Sequence, residues 1–278
     1  MQKALNETRT GKIGVFDSGF GGLTVMRGIV RALPEYDYVY FGDNARAPYG
    51  TRSQDVVFQF TKEAVEFLFG EGCDLVILAC NTASSEALRR IQREVLPAKY
   101  PNKRVLGVLI PAAEEAVRQS VSKRVGVIAT AGTVASNSFQ REISKLDKKV
   151  RLSQKACPLL VSIVEEGEDG GEIAKVAIKK YLKYFEGKKI DTLILGCTHY
   201  GFLEKEIAKN IGKNVRIVSE GKVVPKRLVN YLKRHSEIEE KLSHGGTATF
   251  YSSDIGERFS KIGGRFFGKR IEVEKVTL

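Results

Sequence analysis

Residues 74–80, DLVILAC, and residues 191–197, DTLILGC, decide how this chain is read. Each is a short apolar run opened by Asp and closed by a small residue and a cysteine. A run of that length between polar positions is a strand buried on both faces. The two share Asp, Ile and Leu in register, so Cys80 and Cys197 hold the same place in two similar units. The opening strands agree as well: KIGVFDS at 12–18 aligns with RVGVIAT at 124–130. An internal repeat of two α/β halves is the economical explanation.

Outward from these runs, strand-like and helix-like stretches alternate. Leu23, Met26, Val30 and Leu33 recur at helical spacing, and Pro34 follows. Residues 38–41 read as a second strand. Residues 53–69 read as a helix with Val56, Phe60, Ala64 and Phe67 on one side. Residues 83–95 read as a helix ended by Pro97. A helix at 224–234, a strand at 247–252, a further helix and an extended tail close the chain, and nothing in them looks catalytic. The alternation predicts an α/β fold with mainly parallel sheets.

Composition narrows the class. Hydrophobic residues make up 42% and charged residues 28%, the balance of a soluble globular protein. No apolar run is long enough to span a bilayer, and the polar residues 1–12 lack the apolar core of a secretion signal. The net charge of +12 is spread in small clusters such as Lys148-Lys149 and Lys179-Lys180, which fits a solvated surface better than a nucleic-acid platform. Four cysteines without a C-x-x-C pair point to a reduced, cytoplasmic protein without a structural zinc site.

In open parallel sheets, ligands sit at the carboxyl ends of the strands. Those ends are polar here: Asp17-Ser18-Gly19-Phe20-Gly21-Gly22, Asn44 to Gly50, Cys80-Asn81-Thr82 and Cys197-Thr198-His199-Tyr200. The glycine loop misses the dinucleotide fingerprint, because Thr24 stands where the third glycine belongs, and it lacks a P-loop lysine. Asp17 reads either as the N-cap of the next helix or as a partner for Cys80. At a strand-to-helix junction, free amides and the helix dipole favour a thiolate. Racemisation needs an acid/base group on each face of a carbon, and a pair of cysteines meets that need. A Cys-His hydrolase is the rival, accounting for one cysteine and not for the pair. His199 lies two residues after Cys197. Glu165 and Glu166 end a helix or sit on its solvated face, and His235 and His244 read as surface residues.

Taken together, DSGFGGLTV (17–25), GDNARAPYG (42–50), ACNTAS (79–84), GVIATAGTV (126–134), VEEG (164–167) and LGCTHY (195–200) resemble the glutamate racemase family of the aspartate/glutamate racemase superfamily. The resemblance implies two α/β domains, pseudo-symmetric, with the active site in the cleft between them. The first takes residues 1–104 plus 222–278 and carries Cys80; the second takes 105–221 and carries Cys197. It implies that Cys80 exchanges the proton with D-glutamate and Cys197 with L-glutamate, that Asp17 assists Cys80, and that Glu165 and His199 assist Cys197. Asp17, Ser18, Tyr49, Gly50, Asn81, Thr82, Thr198 and His199 would bind substrate, with Thr130 near a substrate carboxylate. It further implies no cofactor and no metal, a homodimer, a cytoplasmic location, and D-glutamate supplied for peptidoglycan synthesis. Neither a membrane nor a nucleic acid is an expected partner. Gly201-Phe202 and Ser162 depart from the family's usual Pro-Leu and Pro. An aspartate-type member tends to carry Glu where His199 stands, which separates the nearest alternative.

Overall fold

The computed structural model describes residues 9–255 and 257–278, so most of the polar lead-in expected at 1–12 lies outside the described residues. The strands are β1 (Lys12–Asp17), β2 (Tyr38–Gly42), β3 (Cys73–Leu78), β4 (Arg104–Gly107), β5 (Arg124–Ala129), β6 (Arg151–Ala156), β7 (Thr192–Gly196), β8 (Arg216–Ser219), β9 (Ala248–Ser252) and β10 (Glu274–Lys275). They form two sheets, ordered β10-β9-β2-β1-β3-β4 and β6-β5-β7-β8. Every neighbouring pair is parallel. β2 and β7 are buried along their whole length, as strands covered on both faces require.

The strand order carries the repeat. β2-β1-β3-β4 in the first sheet has the same arrangement as β6-β5-β7-β8 in the second. β3 therefore corresponds to β7, and the cysteines that follow them, Cys80 and Cys197, correspond too. β9 and β10, from the C-terminal segment, extend the first sheet alone.

Three boundaries differ from the sequence reading. β4 pairs Leu75 with Arg104 and Leu78 with Gly107, so the first sheet runs past the 104/105 division; a four-residue strand leaves little periodicity to read. The helix expected from 224 begins at Glu220, packs on both Gly22–Ala32 and Leu109–Gln119, and so touches both units. Gly28 permits that crossing, since a Cβ there would lie 2.6 Å from the Gly221 carbonyl oxygen. Lastly, Pro97 does not end a helix. Asn81–Glu86 and Leu88–Arg90 pass into a π turn, Ile91–Val95, and Pro97 then sits in the first turn of Leu96–Lys99. Proline is tolerated there because a first-turn N–H has no partner within its own helix.

A shared core joins the units. Ile13, Leu23 and Tyr40 from the first sheet's side meet Leu160, Leu193 and Leu195 from the second in one cluster, together with Phe266 of the C-terminal helix Glu257–Phe267. Each unit also keeps its own cluster, around Phe41, Phe58 and Leu78 in the first and Val127, Phe139 and Ile194 in the second.

Candidate active site

Parallel strands aim their carboxyl ends the same way, so β1, β3, β5 and β7 deliver Asp17-Ser18, Cys80, Thr130 and Cys197 to the space between the sheets. Two glycines let the units close on each other. A Cβ at Gly21 would fall 2.0 Å from Thr198 Oγ1 and 2.7 Å from His199 Nδ1. A Cβ at Gly50 would fall 2.8 Å from Thr130 Cβ. The glycine-rich loop after β1 thus serves close approach to the second unit rather than a phosphate. A cavity of about 600 Å³ opens here, lined from one side by Gly19, Pro48 and Gly50 and from the other by Thr130, Val161 and Glu165.

Cys80 is buried where β3 hands over to the helix Asn81–Glu86, and its Sγ lies 3.2 Å from Ser18 Oγ. Burial pushes the thiol up to about 12; the charge of Asp17 adds to this, and Ser18 opposes it. Asp17 is not the N-cap, a position held by Gly21. Its Oδ2 accepts from the Gly19 amide at 3.0 Å, and its Oδ1 has no hydrogen-bond partner among the described residues. Burial also raises the Asp17 carboxyl, against the pull of His199.

Cys197 is supported differently. His199 Nδ1 lies 3.7 Å from its Sγ and 3.5 Å from Thr198 Oγ1, and His199 Nε2 lies 3.0 Å from Glu165 Oε1. Glu165 is half-buried and faces the histidine, whereas Glu166 is exposed. Burial pushes the Cys197 thiol well above the ordinary range, the His199 amide opposes it, and charges at Cys80, Glu220 and Asp17 push it further. The two thiols are near enough for the charge of Cys80 to act on Cys197. Burial raises both thiols, against the lowering expected from the strand-to-helix position, because loss of water outweighs a few amide dipoles.

Of the remaining expected residues, Tyr49 is buried and spends its hydroxyl on Asp43 Oδ2. Thr82 Oγ1 meets Thr130 Oγ1 at 3.0 Å across the units, and Thr130 caps the helix Ala131–Ala135 through the Thr133 amide. Asn81 Nδ2 donates to Glu220 Oε2 at 2.7 Å. His235 and His244 pair with Glu237 and Glu239, away from these groups.

Sequence reasoning missed three contributors. Asp43 is fully buried and anchors Tyr49, Arg46 and Ser253. Glu220 stands in a run, SEGK, that reads as a surface. The C-terminal helix, judged inert, lays Phe266 on the His199 ring at 5.5 Å between centroids and on Phe202 at 4.5 Å. Arg265 of that helix donates to the Val164 carbonyl oxygen, next to Glu165. The departure at Gly201-Phe202 was the available signal, for Phe202 exists to meet Phe266. Among the described residues no group of three or more His, Cys, Asp or Glu side chains is placed to hold a metal ion, and no helix is long and apolar enough to cross a membrane.

Duplicated parallel sheets, each followed at the equivalent strand end by a buried cysteine, define a class. The Asp/Glu/Hydantoin racemase family model matches residues 13–224, and the chain belongs to that family. More particularly, it aligns with glutamate racemases. It is 40% identical to the glutamate racemase of Aquifex aeolicus, over 96% of this chain and 97% of that protein. The crystal structure of a glutamate racemase isoform from Bacillus anthracis matches at a TM-score of 0.89 and 34% identity, covering 97% of this chain and 98% of that one. The Francisella tularensis glutamate racemase, solved in complex with D-glutamate, matches at 0.87 and 33%, covering 96% and 98%.

Proposed function

We propose that this chain interconverts L- and D-glutamate by a two-thiol mechanism that uses no cofactor. One observation carries the reading: two buried thiols at equivalent strand ends, with the charge of Cys80 reaching Cys197. One thiolate removes the α-proton from its face, and the opposite thiol returns a proton from the other. Cys80 serves the D-enantiomer and Cys197 the L-enantiomer. The raised thiol values suit the task. A base whose conjugate acid lies near 12 stands closer to the weakly acidic α-carbon than an ordinary thiolate does. Asp17 can hold the Cys80 proton, and His199, backed by Glu165, can hold that of Cys197. Ser18, Gly50, Asn81, Thr82, Thr130 and Thr198 surround the amino acid with hydroxyls and amides, which steady the developing negative charge. Tyr49, its hydroxyl committed to Asp43, contributes shape.

In the same reading the enzyme is a cytoplasmic homodimer whose D-glutamate feeds peptidoglycan synthesis. Its partner is the small-molecule substrate, with no nucleic acid or membrane. Sedimentation at the mass of a single chain would remove the dimer.

Purified protein, reduced and without added cofactor, is expected to bring either enantiomer of glutamate to the racemate, followed by circular dichroism. Aspartate should be turned over far more slowly. Folded, reduced protein that leaves glutamate unchanged, or prefers aspartate, would sink the reading. The rate constant kcat/KM should climb as pH rises from about 6 to 9. Below a thiol pKa near 12, each step upward increases the thiolate fraction.

A further inference from the structure

Glu220 is a buried carboxyl that the two-thiol mechanism does not use. It opens the helix Glu220–Arg234 directly after β8, and its Oε2 accepts the hydrogen bond from Asn81 Nδ2 at 2.7 Å. Asn81 follows Cys80 and is itself buried. Its Oδ1 is closed off from solvent with no hydrogen-bond partner among the described residues, as is Glu220 Oε1. One end of the carboxamide is thus tied, and the other is buried and unmatched, on the residue that follows Cys80. Folded proteins seldom leave such an atom without reason, and a ligand is one reason.

We propose that Glu220 is a positioning residue, which clamps one end of the Asn81 carboxamide so that the other end meets the amino-acid substrate beside Cys80. The proposal rests on the racemase reading. Burial pushes the Glu220 carboxyl well above the usual carboxylate range, against the hydrogen bond from Asn81 and with the charge of Asp17 adding to it, so it can carry a proton. Asp17 and Cys197 are the titratable groups whose charges couple to it. A neutral acid can donate as well as accept. In the observed geometry the amide nitrogen is taken by Glu220 and the free end is Asn81 Oδ1, an acceptor suited to the ammonium group of an amino acid. A surface-style substitution rule would treat this glutamate as replaceable; the geometry makes its length and hydrogen-bonding capacity matter.

The test compares the wild-type chain with Glu220→Gln, Glu220→Leu and Glu220→Asp, using glutamate as the probe in both directions. Glutamine is neutral, donates and accepts, and has the reach of glutamic acid. It should hold KM within about twofold, which is less than one ordinary hydrogen bond is worth. Leucine and the shorter aspartate should raise KM about tenfold with a smaller change in kcat, the loss of roughly one such bond. Infrared spectra should show the carbonyl stretch of a protonated acid in the wild type and its loss in Glu220→Gln. Wild-type KM in both Glu220→Leu and Glu220→Asp, with only thermal stability lowered, would overturn the positioning role. So would a Glu220→Gln variant as impaired as Glu220→Leu. Should the leucine variant fail to fold, Glu220→Asp decides alone. A wild-type chain that does not racemise glutamate overturns the parent reading, a separate outcome from unchanged KM in an active background.

Discussion

Alanine at Cys80, and separately at Cys197, is expected to lower glutamate racemisation by roughly 10²–10⁴-fold or more, the range that a positioned acid or base contributes. The two enantiomers have equal free energy, so their interconversion has an equilibrium constant of one. It follows that kcat/KM must fall equally in both directions for either variant, although each thiol serves one face. Once one thiol is gone the other has no counterpart, so the double variant should be scarcely slower than either single one. The cysteines are buried, so each variant needs a melting curve beside its rate. Serine replacements give a second check, since they keep the volume but offer a far weaker acid. Near-normal rates in any folded single variant would remove the two-base mechanism.

The second large effect falls on the Cys197 side. His199→Asn is expected to cost about 10²-fold in kcat/KM, at the lower end of what acid-base assistance is worth, and Glu165→Gln, which acts through the histidine, less, about tenfold. His199 Nδ1 faces the thiol at 3.7 Å, and its other nitrogen meets Glu165 Oε1 at 3.0 Å, so a proton leaving Cys197 has a place to go and a carboxylate to steady it. Without that relay the burial that raises Cys197 is opposed only by the His199 backbone amide. The ascending limb of the pH profile should therefore move to higher pH in both variants. The sign follows from the thiol: its proton is held more tightly in the enclosed site, and more hydroxide is needed to reach the same thiolate fraction. Glu166→Gln should change little, because Glu166 is exposed and the carboxylate on His199 Nε2 is that of Glu165. A Glu166 variant as slow as the Glu165 one would contradict the assignment.

Much of this was readable in the sequence, for identifiable reasons. DLVILAC and DTLILGC announced two equivalent strands because doubly covered strands are continuous apolar runs, and the sheets bear that out in matched strand order. That Asp17 and His199 lie near the cysteines was legible because each stands at or just past a strand end, His199 inside a cysteine motif, whereas Glu165 was singled out only through the family resemblance. What the sequence concealed depends on the meeting of distant segments. Glu220 and Asn81 are 139 residues apart, and only the packed helix Glu220–Arg234 brings them together. Phe266 reaches His199 from the far end of the chain. The upward shift of the thiols was hidden for a related reason: a helix start is a local feature, whereas exclusion of water depends on both units closing over the site. Short elements were lost too, with β4 and the π turn Ile91–Val95 too brief for periodicity to betray them.

The measurement that bears most directly on the pair of thiols is racemisation of L-glutamate in D2O, stopped at low conversion and read by NMR at the α-carbon of each enantiomer. If Cys197 takes the proton from one face and Cys80 delivers another from the opposite face, the D-glutamate formed carries deuterium from the solvent-exchanged thiol, while the remaining L-glutamate keeps its protium. D-glutamate that retains most of its original α-protium at early times would mean that one group carries the proton across, and the two-thiol account would fail.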